Sequence, residues 1–110
     1  MLNFAYCSDK YQYTMGKSFY DSGMKEQTAV FNMFYRKAPE NNNWAVVSGT
    51  DEVIEMIENL GNMDPSFFEK FLPGEEYKDF RGYLSSMKFT GTVYAMREGE
   101  IVFPNQPIII

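Results

Sequence analysis

Two segments of the sequence carry side chains that suit an anionic or heterocyclic ligand. Asp9 and Tyr11 stand in the first turn of a predicted helix, where free backbone N–H groups and the positive end of the helix dipole favour anions and an aromatic ring can stack on a flat heterocycle. Arg36 ends an aromatic segment, and its forked guanidinium suits phosphate oxygens. On residue types alone, ordinary roles are favoured: a helix-end residue, a core or interface ring, and a surface salt bridge.

The other reactive side chains indicate no catalytic residue and no metal or cofactor site. Asp51, Glu55 and Glu58 are spaced to bind a hard cation from one helix side, but a solvated helix face gives the same pattern and is favoured. Cys7 has no histidine partner because the chain contains none, so we interpret it as a buried or incidental thiol. The sequence has neither a Cys-His zinc pattern nor a glycine-rich phosphate loop.

The composition indicates a single acidic, soluble domain. The 110 residues carry a formal net charge of -5, and 45% of them are hydrophobic and 17% aromatic, which favours a packed core over disorder. Lysine and arginine are scattered, and Arg36-Lys37 is their only adjacent pair, so we expect no nucleic-acid partner. We expect neither a membrane span nor a signal peptide, and one cysteine fits a reducing compartment. We therefore expect a cytoplasmic protein.

Capping residues and periodic apolar side chains predict four helices. The first begins with Ser8 and Asp9 as caps and stops at Gly23, and its Gly16 suggests close packing against another element. Its repeating apolar face consists of Tyr11, Met15 and Phe19. The other predicted helices span residues 50–60, 64–72 and 75–86, and the second of these begins with Asp64 as its cap and Pro65 at its first position.

Alternating and β-branched segments predict the strands. A strand over residues 28–37 and a polar turn over 39–43 lead to a short, more buried strand over 44–47. A hairpin follows, with strands over 92–96 and 101–103. The final residues 108–110 are all isoleucine; at a chain end in water they would expose an apolar face and a free pairing edge. We therefore expect a longer parent chain or a partner subunit, and an α+β fold in which a small antiparallel sheet packs with helices.

Five segments, taken in order, resemble the nicotinate phosphoribosyltransferase family. The first, Ser-Asp-Lys-Tyr-Gln-Tyr-Thr-Met, matches the family's Thr-Asp-x-Tyr-Gln-x-Thr-Met start with Ser8 in place of threonine. The change is benign because either hydroxyl can cap a helix. Each segment alone is weak evidence, but all five occur in register along nearly the whole chain. They cover residues 8–15, 29–31 with 34–37, 47–53, 89–95 and 99–107.

The resemblance implies the fold of a type II phosphoribosyltransferase, in which an N-terminal α/β sandwich precedes a larger α/β barrel. Residues 1–110 would form one N-terminal domain that is truncated before the barrel. The implied reaction of the parent enzyme joins nicotinate to phosphoribosyl pyrophosphate with ATP and Mg²⁺, in the salvage synthesis of NAD. Similar enzymes phosphorylate a histidine in the barrel, so we expect this chain alone to be inactive and to bind no cofactor.

The same resemblance implies three substrate-binding residues in a homodimer. Tyr11 is similar to an aromatic residue that one subunit stacks on the pyridine ring in its neighbour's site, and Asp9 would lie beside it. Arg36 is similar to an arginine that reaches the sugar substrate's phosphates, again from the neighbouring subunit. A flat ring needs a π-face and a pyrophosphate needs a guanidinium, so the residue chemistry agrees with these roles.

Two alternatives remain open at this point. In the first, the chain is a free-standing interaction or ligand-binding module that dimerises through residues 108–110 and the aromatic strand. In the second, it is a metal-dependent enzyme built on its acidic helices. The reading frame beyond Ile110 distinguishes the module from the enzyme domain. Calorimetry with magnesium or calcium tests the metal-dependent alternative.

Overall fold

A computed structural model describes residues 7–38, 42–61 and 63–110. Over these residues the chain forms four α-helices, a 3-10 turn and a two-stranded antiparallel sheet, which confirms the predicted α+β fold and all four predicted helices. The helices are α1 (Lys10–Asp21), α2 (Thr50–Glu58), α3 (Pro65–Phe71) and α4 (Lys78–Ser86), with the 3-10 turn at Glu75–Tyr77. The strands are β1 (Ala45–Val46) and β2 (Ile101–Val102).

The chain divides into two compact units, each described here by itself. Residues 1–27 and 56–90 form the helical unit, and residues 28–55 and 91–110 form the strand unit. In the helical unit, Gly16 of α1 confirms the predicted close packing, because a Cβ at this position would lie 3.3 Å from the Phe80 ring. The buried core of this unit comprises Tyr13, Met63, Phe68, Leu72, Phe80 and Leu84.

Polar side chains satisfy the backbone at both ends of α3. The Asp64 carboxylate accepts hydrogen bonds from the Ser66 N–H (2.9 Å) and the Ser66 hydroxyl (2.6 Å), and these bonds, the hydroxyl foremost, lower the pKa of Asp64. After the helix, Arg81 Nη1 donates to the carbonyls of Leu72 and Gly74, each at 2.7 Å. Arg81 thereby pairs the carbonyl of Leu72, the C-cap residue of α3, and one carbonyl just beyond the helix. The cap predicted at Asp64 is confirmed.

The sheet of the strand unit joins segments that are far apart in sequence. Ala45 lies opposite Val102, and Val46 opposite Ile101. The prediction of a buried strand over 44–47 is only partly right: Val47 is buried, but Trp44 and Val46 are exposed. Successive side chains of a strand point to opposite faces, and only one face of this short sheet is covered.

The predicted hairpin between residues 92–96 and 101–103 is wrong. The turn before β2 is hydrogen-bonded to Val47 instead. The Val47 N–H donates to the Glu100 carbonyl, and the Gly99 N–H donates to the Val47 carbonyl, both at 2.9 Å. This pairing directs residues 101–102 along β1. Residues 94–96 pair with the last residues of the chain, where Tyr94 and Ile110 exchange both backbone hydrogen bonds (2.8 and 2.9 Å).

The prediction of a free pairing edge at residues 108–110 is also wrong. Ile109 forms antiparallel bridges with Ala95 on one side and Met33 on the other, so both edges of this segment are hydrogen-bonded. The strand predicted over residues 28–37 is reduced to the bridge at Met33 and a bond at Tyr35. Val30 and Phe31 are exposed, and no described residue pairs with them. Of the predicted polar turn, residues 39–41 lie outside the described residues.

Candidate functional site

The start of α1 carries two of the three predicted site residues. Asp9 is the N-cap residue, with φ -71° and ψ 145°, and its N–H donates to Gln12 Oε1 at 3.2 Å. A bond from the N-cap N–H to the side chain of the third helical residue is half of a capping box. Ser8, the other predicted cap, lies one position before Asp9. The serine that replaces the family's threonine is therefore not the N-cap residue. The Asp9 carboxylate is exposed at the positive end of the helix.

Tyr11 lies on the outward face of α1. The inward face contributes Tyr13, whose ring meets the Phe71 ring edge-on with 5.3 Å between centroids. Two positions earlier, Tyr11 keeps 62% of its surface exposed, and Met15 and Phe19 on the same face are about half exposed. Tyr11 is therefore not a core residue of this unit, and its ring is open to contact from outside.

Arg36, the third predicted site residue, belongs to the strand unit. Its side chain is exposed, as is that of Lys37, and no described residue forms an ion pair or a side-chain hydrogen bond with Arg36. The surface salt bridge that residue types favoured is therefore wrong within the described chain. Two adjacent exposed cations suit an anionic ligand.

The backbone next to Arg36 is held by a turn that the sequence interpretation did not connect with it. The Asn105 N–H donates to the Tyr35 carbonyl at 2.9 Å, and the Tyr35 hydroxyl donates to the Val102 carbonyl at 3.0 Å. Pro104 and Asn105, with φ 63° at Asn105, occupy the central positions of a turn. Proline followed by asparagine is a signal for a type II turn, so the turn itself was legible in the sequence.

The acidic face of α2 does not assemble a metal site. Asp51, Glu55 and Glu58 are exposed, and no three acidic, cysteine or histidine side chains in the described chain are grouped to hold a metal ion. The important acid here is Glu98, which sequence analysis missed. Its carboxylate accepts from the Asp51 N–H (3.3 Å) and the Thr50 hydroxyl (3.2 Å). Those bonds, the Asp51 N–H foremost, lower the pKa of Glu98.

Two other sequence features have simple outcomes. Cys7, interpreted as a buried or incidental thiol, is an exposed free thiol, so the buried alternative is wrong and the incidental one stays a prediction. Among the described residues, no helix combines the length and the apolar character needed to cross a membrane.

Comparison with known proteins identifies what these elements belong to. The model of the nicotinate phosphoribosyltransferase N-terminal domain matches residues 7–110, which include the start of α1, the Arg36 segment and the turn at Pro104. The chain belongs to this family. The family resemblance in the sequence is thereby confirmed.

Several proteins with the same domain are similar along almost the whole chain. A nicotinate phosphoribosyltransferase of Bacillus subtilis is 38% identical over 104 residues, which are 93% of this chain and 21% of that protein. One from Dictyostelium discoideum is 33% identical over 93% of this chain and 18% of that protein. The crystal structure of human nicotinic acid phosphoribosyltransferase superposes with a TM-score of 0.76 at 27% identity, over 93% of this chain and 21% of the human one. The nicotinate phosphoribosyltransferase N-terminal domain thus spans about one fifth of these relatives.

Proposed function

We propose that this domain forms one edge of the substrate site in a nicotinate phosphoribosyltransferase. The proposed reaction joins nicotinate to phosphoribosyl pyrophosphate, releases pyrophosphate and consumes ATP, giving nicotinate mononucleotide for the salvage of NAD. The observation that carries the proposal is the exposed Tyr11 ring at the capped start of α1, within a chain of this family.

Tyr11 supplies the stacking surface for the pyridine ring. A tyrosine ring has a π-face and only two side-chain torsions, so it gives a large contact area at a low entropic cost. The capping bond between Asp9 and Gln12 fixes the first turn of α1, and therefore the backbone that carries Tyr11. Asp9 lies beside the ring as a polar contact.

Arg36 binds the phosphates of the sugar substrate. A guanidinium makes paired, charge-assisted hydrogen bonds with phosphate oxygens, and Lys37 adds a second positive charge next to it. The chain as a whole is acidic, with a net charge of -5, so an exposed pair of cations gives this surface a local attraction for anions that runs against the net charge.

The remaining parts of the site belong to other polypeptide. We propose a cytoplasmic homodimer in which Tyr11 and Arg36 complete the site of the neighbouring subunit, and the exposed apolar face of α1 favours such a contact. The chain has no histidine that could react with ATP, and its described residues include no group of acidic side chains that could hold Mg²⁺. The domain's own residues therefore bind and orient substrates, and the ATP step takes place elsewhere in the enzyme.

The isolated chain should have no enzymatic activity. With nicotinate, phosphoribosyl pyrophosphate, ATP and Mg²⁺, we expect no nicotinate mononucleotide by chromatography, whereas the complete enzyme that carries the domain should produce it. Robust turnover by the 110 residues alone would show that the barrel is dispensable.

The Tyr11 ring is tested in the complete enzyme. Tyr11→Ala should raise KM for nicotinate by about tenfold or more, because the loss of a stacked ring costs roughly 1.4 kcal/mol or more. Tyr11→Phe keeps the π-face and should stay within about threefold of the wild-type KM. Steady-state kinetics with varied nicotinate measures both.

Phe89→Ala is the matched control, because Phe89 is an exposed aromatic residue of the helical unit that lies outside α1 and its apolar face. It should leave KM for nicotinate unchanged. An equal KM in wild type and Tyr11→Ala would remove Tyr11 from the site.

A further inference from the structure

We infer that Tyr35 is a positioning residue for Arg36, and that the turn at Pro104-Asn105 acts with it. The inference rests on the proposed phosphate contact of Arg36. It adds a second group of residues, about 70 positions further along the chain, whose role is to hold the guanidinium where the phosphates of the sugar substrate bind.

Tyr35 is held at two points by the same segment. Its hydroxyl donates to the Val102 carbonyl (3.0 Å) and its own carbonyl accepts from the Asn105 N–H (2.9 Å). Val102 is buried and belongs to β2, which is paired with β1, so the acceptor of the tyrosine hydroxyl is itself fixed. The half-buried tyrosine is thereby tied to the most regular part of the strand unit.

The second bond acts directly on Arg36. The Tyr35 carbonyl and the Arg36 N–H belong to one planar peptide group, so the bond from Asn105 restrains the plane from which the arginine departs. Beyond that plane, Arg36 makes no side-chain bond to a described residue. Among the described residues, the backbone is what fixes the starting point of this side chain, and any loosening of the backbone spreads the guanidinium over a larger volume.

The turn that carries Asn105 is itself braced. The Gln106 N–H donates to the Phe103 carbonyl, and the Gln106 side chain accepts from the Phe103 N–H, both at 3.1 Å. Asn105 adopts φ 63°, a conformation that asparagine and glycine tolerate and β-branched residues do not. The bond from the Asn105 N–H to Tyr35 therefore depends on a residue at position 105 that tolerates a positive φ.

Tyr35→Phe in the complete enzyme tests the inference, since it removes one hydroxyl and little else. The loss of one hydrogen bond predicts a rise of about three- to tenfold in KM for phosphoribosyl pyrophosphate, with KM for nicotinate unchanged. In an Arg36→Ala background the same change should have no further effect, because there is no guanidinium left to position. Tyr94→Phe, whose ring is 69% exposed, is the matched control and should behave like wild type.

Asn105 gives a second, independent test. Asn105→Gly keeps the N–H and the positive φ and should leave the kinetics unchanged, whereas Asn105→Val should raise KM for phosphoribosyl pyrophosphate as Tyr35→Phe does.

The outcomes separate the inference from the proposed function. If Arg36→Ala raises KM for phosphoribosyl pyrophosphate but Tyr35→Phe does not, only the positioning role is overturned. If Tyr35→Phe impairs use of both substrates, or is as harmful without Arg36 as with it, its role is general stability and the inference is again overturned. If Arg36→Ala has wild-type kinetics, the phosphate contact and the positioning role both fail.

Discussion

In the helical unit, six buried side chains form one cluster, whereas in the strand unit much of the order comes from backbone hydrogen bonds between distant segments. Half of these side chains are aromatic, with ring pairs such as Tyr13 and Phe68 at 5.9 Å between centroids. The strand unit buries fewer large side chains, Val47 and Val102 among them. One unit is stabilised mainly by apolar burial and the other mainly by pairing.

This difference shows two ways of holding a side chain that we propose for the substrate site. Tyr11 extends from a helix whose start is fixed by a local bond between residues three apart. Arg36 follows a peptide that is fixed by residues about 70 positions later. Single substitutions near Tyr11 should therefore act locally, while the geometry at Arg36 should respond to changes far away in sequence.

The largest expected effect distinguishes the two kinds of stabilisation. Phe68→Ala should lower the free energy of unfolding by about 3–5 kcal/mol, because it empties the centre of the aromatic cluster. Val102→Ala, at an equally buried position of the strand unit, should lower it by about 2 kcal/mol, since fewer apolar atoms are lost. Urea denaturation of each variant gives these differences.

Phe31→Ala provides the control, because Phe31 is 80% exposed and its loss should change the free energy of unfolding by less than about 0.5 kcal/mol. If Val102→Ala proved more harmful than Phe68→Ala, apolar burial would not be what separates the two units.

The sequence predicted the helical unit well because its signals are local. The cap at Asp64, the proline that follows it and the spacing of Phe68 and Leu72 lie within one helix, and they define α3 without any other part of the chain. Gly16 likewise predicted a close approach that the Phe80 ring confirms.

The strand unit was predicted poorly because its pairing is decided at long range. Local alternation at residues 92–96 and 101–103 is equally compatible with pairing to each other in a hairpin and with pairing to other segments. The bonds between Val47 and residues 99–100 place residues 101–102 against β1, so the two segments do not pair with each other. The candidate site residues also depend on contacts that are distant in sequence. Exposure of Tyr11 depends on which face of α1 the core covers, while the anchoring of Tyr35 requires knowledge of a turn near the end of the chain.

The smallest expected effect concerns the long-range cap of α2. The charged Glu98 carboxylate accepts bonds from Asp51 and Thr50, and its pKa is lowered below the ordinary 4.5. Because the folded pKa is the lower one, the bonds contribute fully above pH 4.5 and are lost as pH falls through the folded value. Amide exchange at Asp51, corrected for the intrinsic rate, should therefore keep its protection from neutral pH down to pH 4.5 and lose it at lower pH.

Variants of Glu98 show whether that loss comes from its carboxylate. Glu98→Gln keeps an acceptor without a charge, so protection at Asp51 should be lower and nearly independent of pH, and Glu98→Ala should lower it further. Glu58→Gln neutralises an exposed acid at the last residue of α2 and should retain the wild-type pH dependence. If Glu98→Gln kept the wild-type pH dependence of protection, the start of α2 would be stabilised by residues of the helix itself. Its stabilisation would then be local, like that of α1 and α3.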